Sequence, residues 1–93
     1  FLFKVTKMKA PLLELYYFDS CPYCQRVLKV VDKLNLKVSL LDIYDNTNHM
    51  QKLMYITGRK TVPCLFINGE PMFESADIMA WLEKNQETLE KKV

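Results

Sequence analysis

The sequence predicts an α/β domain in which a four-stranded mixed sheet is flanked by helices, in the order β-α-β-α-β-β-α. Three observations carry that reading. An apolar run over residues 12–18 breaks at Asp19-Ser20 into a helical pattern, with Cys21-Pro22-Tyr23-Cys24 on the junction. Asn68-Gly69 separates two short strand-like runs, the strongest short-range signal for a hairpin. The length of 93 residues suffices for one core and leaves no room for a second domain.

Each element has its own signal. The run over residues 12–18 is almost continuously apolar, as in a strand buried on both faces of a partly parallel sheet. Residues 24–34 place Val27, Leu28, Val30, Val31 and Leu34 on one side and Gln25, Arg26, Lys29, Asp32 and Lys33 on the other, which predicts an amphipathic helix stopped at Asn35. Residues 37–43, rich in Val, Leu and Ile, read as a second strand, reached by a right-handed parallel crossover. Asp45-Asn46-Thr47-Asn48 is dense in capping residues, and Met50, Leu53 and Met54 follow at helical spacing until Gly58. Cys64-Leu65-Phe66-Ile67 and Glu70-Pro71-Met72-Phe73 flank the Asn-Gly turn as an antiparallel pair, with Pro71 confining the second strand to a sheet edge. Ser75 is the expected cap of a last helix whose inner face is Ile78, Met79, Trp81 and Leu82. The polar tail over residues 86–93 is expected to extend or fray. Residues 1–11 read as a leader, and residues 12–93 as the domain.

Composition narrows the function classes. Apolar residues at 49% and charged residues at 26% are ordinary for a globular protein. The net charge of +2 comes with lysines spread along the chain, which gives no support to a nucleic-acid partner. The apolar start, Phe1-Leu2-Phe3, is too short to span a membrane and is followed at once by lysines, unlike a signal peptide, so no membrane partner is expected. Three cysteines, an odd number, argue for a reducing compartment, hence a cytoplasmic location.

Cys21 and Cys24 are the residues that carry chemistry. Two cysteines with two residues between them close a small disulfide ring, hold half of a metal site, or fill space as small core residues. A zinc site needs a second pair of ligands, and Cys64 and His49 stand in no ligand spacing, so a metal is not expected. A sulfur at a helix start lies beside unpaired N–H groups and the positive end of the helix dipole, which favour thiolate. Cys21 is then the attacking, more exposed sulfur and Cys24, one turn in, the resolving one. Pro22 suits the first turn, where its missing N–H costs nothing. Cys64, at the start of a strand, reads as a buried inert thiol, and His49 as solvent-facing. Trp81, Met50, Met54, Met72 and Met79 read as core.

Cys-Pro-Tyr-Cys at the first strand-helix turn, together with Thr61-Val62-Pro63 before the third strand, resembles the glutaredoxin branch of the thioredoxin fold. In that family the proline matching Pro63 is cis and faces the cysteines, and the residue matching Val62 offers its backbone to an extended peptide such as glutathione. The resemblance implies a glutathione site made by Tyr23, Arg59, Lys60, Thr61, Val62, Pro63, Glu74, Ser75 and Asp77, with Arg59 and Lys60 facing the glycine carboxylate. Two departures stand out. Phe18 occupies a position, three before the first cysteine, that many members give to a basic residue, and Asp19 adds a negative charge nearby. Phe73-Glu74-Ser75-Ala76-Asp77-Ile78 is similar to the Glu-Ser segment of glutathione S-transferase N-terminal domains, in which the helix opening at the serine receives the γ-glutamyl carboxylate.

The function implied is that of a dithiol glutaredoxin, a monomer using glutathione as reductant to reduce disulfide-bonded or glutathionylated proteins. Two alternatives belong to other classes. One is the N-terminal domain of a glutathione S-transferase-like protein. The other is a module sharing a [2Fe–2S] cluster between chains, which Pro22 disfavours and which an absorbance spectrum of fresh protein separates from the rest.

Overall fold

The computed structural model describes residues 10–92, so residues 1–9 of the expected leader lie outside the described residues. The elements are β1 (Leu13–Tyr17), α1 (Pro22–Lys33), β2 (Ser39–Asp42), α2 (Thr47–Thr57), β3 (Cys64–Ile67), β4 (Glu70–Met72) and α3 (Ser75–Asn85), followed by one 3-10 turn at Gln86–Thr88. The sheet runs β2-β1-β3-β4, with β2 parallel to β1 and the two other pairings antiparallel. This is the four-stranded mixed sheet and the element order that the sequence predicts.

Strand alternation divides the core in two. Leu13 and Leu15 of β1 and Leu65 of β3 face α1 and α3, where they meet Val27, Val31, Ile78 and Leu82. Tyr16 of β1 and Cys64 and Phe66 of β3 face α2, where they meet Leu53 and Ile43. Helices therefore cover both faces of the sheet, which is why β1 reads as a continuous apolar run.

Local chemistry sets the ends of these elements. Asn35 takes the left-handed conformation (φ 55°) after α1, the Leu36 N–H donates to Val31 O at 3.0 Å, and the Asn35 N–H donates to Asp32 O at 3.1 Å; this is a Schellman closure with Asn in glycine's usual place. Asn46 caps α2 through a 2.9 Å bond from the Asn48 N–H, and left-handed Gly58 ends it. In the hairpin, Asn68 and Gly69 both have positive φ, and Asn68 Oδ1 also accepts the Leu12 N–H at 2.8 Å, tying the turn to the start of β1.

Five expectations need correction. Ser75 is not the cap of α3: Glu74 is, at φ 73° and without a side-chain cap bond, and Ser75 is the first helical residue. Of the two outcomes expected for the tail, residues 86–92 extend and do not fray. Leu89 is buried in the α1/α3 core, the Lys37 N–H donates to Glu90 O, and the Lys92 N–H donates to Asn35 O, both at 2.9 Å. Because Leu36 and Lys37 pair with this tail, β2 begins only at Ser39. His49 is half-buried, its Nδ1 3.1 Å from Asp42 O. Met54 sits at the edge of the α2 stripe and is 42% exposed, unlike Met50, which packs on the Tyr16 cluster.

Candidate active site

Sheet register brings three separate loops to one end of the molecule. Tyr16 pairs with Cys64, and Leu65 with Met72. The residues that follow β1, precede β3 and follow β4 therefore all emerge at the same edge, and they are Asp19 to Cys24, Thr61 to Pro63, and Phe73 to Ser75.

In the first loop Cys21 is the N-cap of α1. Its φ and ψ are extended, Pro22 opens the helix, and the Cys24 N–H donates to Cys21 Sγ at 3.3 Å. A sulfur thus fills the place that a serine or aspartate oxygen usually takes at a helix start, and a backbone donor is aimed at the atom that carries negative charge when the thiol reacts as thiolate. The loop is held by the Cys21 N–H donating to Phe18 O at 3.1 Å and by the Gln25 side chain donating to Asp19 O at 2.5 Å. Cys21 retains 5% exposure and Cys24 none. Burial, first, and the bond to Cys21, second, push the Cys24 thiol up to about 12, with a backbone bond from Phe18 pulling the other way. Both thiols are free.

Beside this loop lies a cleft of about 230 Å³ lined by Tyr23, Thr61, Val62, Pro63, Glu74 and Ser75. Six of the nine residues that the resemblance implies for a glutathione site therefore line one cleft. The Val62-Pro63 bond is cis. Tyr23 is 59% exposed, with the Arg26 guanidinium 5.7 Å from its ring centre. The first turn of α3 opens on the cleft at Ser75 with no side chain capping it, so its leading N–H groups remain available to an anion.

Arg59, Lys60 and Asp77 do not line this cleft. Lys60 and Asp77 are exposed on its flanking segments, Asp77 in the first turn of α3. Arg59 lies over the Phe73 ring, its Cζ 4.0 Å from the centroid. Phe73, which the sequence places only in the second hairpin strand and the Glu-Ser segment, is brought to Arg59 by the β3-β4 register, a contact that sequence reasoning missed. Cys64 is fully buried against Tyr16 and Phe66, and burial pushes its thiol up to about 11. A second cleft, of about 330 Å³, is lined by Phe18, Asp19 and Ser20 ahead of Cys21 and by Asp42, Tyr44 and Asp45 beyond β2.

Comparison with known proteins agrees with this geometry. A family model described as the glutathione S-transferase N-terminal domain matches residues 15–90. Glutaredoxin-1 of Homo sapiens is 32% identical over an 89-residue alignment that covers 89% of this chain and 83% of that protein. Among solved structures, a wheat glutaredoxin superposes with a TM-score of 0.60 at 27% identity, covering 77% of this chain and 70% of that one. Leishmania TDR1, described as a trimeric glutathione transferase, superposes with a TM-score of 0.66 at 31% identity over 81% of this chain. The chain spans only 17% of that transferase. With a cysteine capping the helix start, a second one turn on, and relatives of this identity and coverage, the chain belongs to the glutaredoxin family, as a glutaredoxin-like thiol oxidoreductase on the thioredoxin fold.

Proposed function

We propose that the chain is a dithiol, glutathione-dependent thiol-disulfide oxidoreductase in which Cys21 is the nucleophile and the Tyr23/Val62/Ser75 cleft holds glutathione. The observation that carries this reading is the cleft itself, which opens between Tyr23 of the Cys21-Cys24 segment, the Thr61–Pro63 loop and the uncapped start of α3. A γ-glutamyl peptide finds there an exposed aromatic wall, a half-buried Val62 and a helix N-terminus suited to its carboxylate.

The steps balance as thiol-disulfide exchange. The Cys21 thiolate attacks the glutathione sulfur of a glutathionylated protein, forming the Cys21-glutathione disulfide and releasing the protein thiolate, which takes a proton from solvent. A second glutathione thiolate attacks the bound glutathione sulfur, releasing oxidised glutathione and restoring Cys21. With a protein disulfide, Cys21 first forms a mixed disulfide with the protein. Cys24 then attacks Cys21, giving the Cys21-Cys24 disulfide and a reduced protein whose departing thiolate accepts the Cys24 proton, and two glutathione molecules reduce the ring. A thiol pushed up to about 12 keeps its proton until that moment, so Cys24 does not compete as first attacker.

The Glu74-Ser75 start of α3 and the family model support a second reading, the glutathione-binding part of a transferase-like protein. One experiment separates the two. Turnover of a small glutathione mixed disulfide, and conjugation of glutathione to an electrophile, are measured on wild type, Cys21→Ser and Cys24→Ser. The oxidoreductase reading predicts disulfide turnover lost in Cys21→Ser and kept in Cys24→Ser. Conjugation that persists in both variants, without disulfide turnover in wild type, would favour the transferase.

A further inference from the structure

We infer that Arg59 and Phe73 form a brace that fixes the separation of two cleft walls, making Arg59 a positioning residue and not a contact for the ligand's carboxylate. The two walls are the segment from Gly58 to Pro63, between α2 and β3, and the segment from Phe73 to Ser75, between β4 and α3. Among the described residues no backbone hydrogen bond joins one segment to the other. The Arg59 guanidinium crosses that gap, 4.0 Å from the Phe73 ring centre, well inside the reach of about 6 Å for a cation over an aromatic face.

Both ends of the bridge are anchored. Thr57 Oγ1 accepts the Arg59 N–H at 3.2 Å and lies 2.9 Å from Arg59 O and 2.7 Å from Leu53 O, so the arginine backbone is held to the last turn of α2. Phe73 packs on the buried cluster of Tyr16, Ile43, Leu53, Cys64 and Phe66. Among the described residues Arg59 forms no ion pair with a carboxylate, and its guanidinium lies over the Phe73 ring. A guanidinium stacked in this way is committed, whereas the neighbouring Lys60 is exposed and outside any such contact among the described residues.

The consequence for turnover rests on the glutathione reading of the cleft; the brace itself does not. Hydrogen exchange on the free, reduced chain therefore tests it without ligand. In Arg59→Gln the amide of Ile78, bonded to Glu74 O, and in Phe73→Leu those of Gly58 and Arg59, bonded to Met54 O and Thr57 Oγ1, exchange about two- to fivefold faster, the range that one exposed cation–π contact supports. The double variant exchanges no faster than either single one, and Phe73→Tyr, which keeps an aromatic face, exchanges as wild type does. In the mixed-disulfide assay the two single variants raise KM by the same factor, with kcat unchanged and with glutathione and its glycine amide affected alike. Exchange altered only in the mutated loop, or additive effects, would overturn the brace. So would an Arg59→Gln effect on KM that vanishes with the amide while Phe73→Leu leaves KM unchanged. Wild type without glutathione-dependent turnover would defeat the functional reading, while the exchange data would still decide the brace.

Discussion

All three thiols are buried, and the extent of burial gives them different chemistry. Cys24 and Cys64 have no exposed surface, and burial pushes their thiols up to about 12 and about 11; Cys21, at the helix cap, retains a small exposed area. Iodoacetamide at about pH 8 should therefore alkylate native, reduced chain at Cys21 alone, with Cys24 and Cys64 reacting only after unfolding, as read by peptide mass. Modification of Cys64 in the folded chain would contradict this. The same burial makes stability depend on pH. A proton held more tightly by folded Cys64 than by an ordinary thiol at 9.0 contributes stability that is fully present below 9 and is lost as pH rises through about 11. Cys64→Val, which keeps an apolar side chain in the pocket, should show a shallower alkaline fall in the urea midpoint than wild type between about pH 8 and 10.5. An unchanged slope would count against a tightly held Cys64 proton.

At the scale of elements, ends and attachments decide more than interiors. The interiors were legible because each obeys one period: the apolar stripe of α1 shows at helical spacing, and Asn68-Gly69 announces its own turn. Asn35 and Gly58 were legible as stops for the same local reason, being residues that tolerate positive φ. The tail was not legible. One apolar residue, Leu89, among polar neighbours gives no periodic signal, yet it is buried between α1 and α3 while backbone bonds at Lys37 and Lys92 hold the strand-like end in place. The cap of α3 was misread because Ser75 has the usual capping side chain, but the backbone turns one residue earlier, at Glu74. Leu89→Ala should cost about 2–4 kcal/mol in denaturant unfolding, as buried Leu-to-Ala changes do, whereas Glu90→Ala, on the exposed side of the same segment, should stay within about 0.5 kcal/mol. Equal, small effects would mean that the tail does not belong to the core.

At the scale of the whole molecule, the site is a product of sheet order. The Cys-Pro-Tyr-Cys segment was readable by itself, since strand, break, capping sulfur and helix are consecutive in the chain. That Val62 and Ser75 would line the same cleft as Tyr23 could be stated from family resemblance but not from spacing, because it depends on β3 pairing with both β1 and β4. That register also sent the Arg59 side chain to Phe73, a contact that no local pattern announces. The central claim is that this arrangement makes Cys21 the sulfur that accepts glutathione, with Cys24 behind it. The most direct test is to incubate Cys24→Ser with oxidised glutathione, which should trap the first covalent step, and to map the adduct by peptide mass. A single glutathione on Cys21, released by added reduced glutathione, is the predicted result; glutathione found on Cys64, or no adduct at all while Cys21→Ser still forms one, would contradict the account.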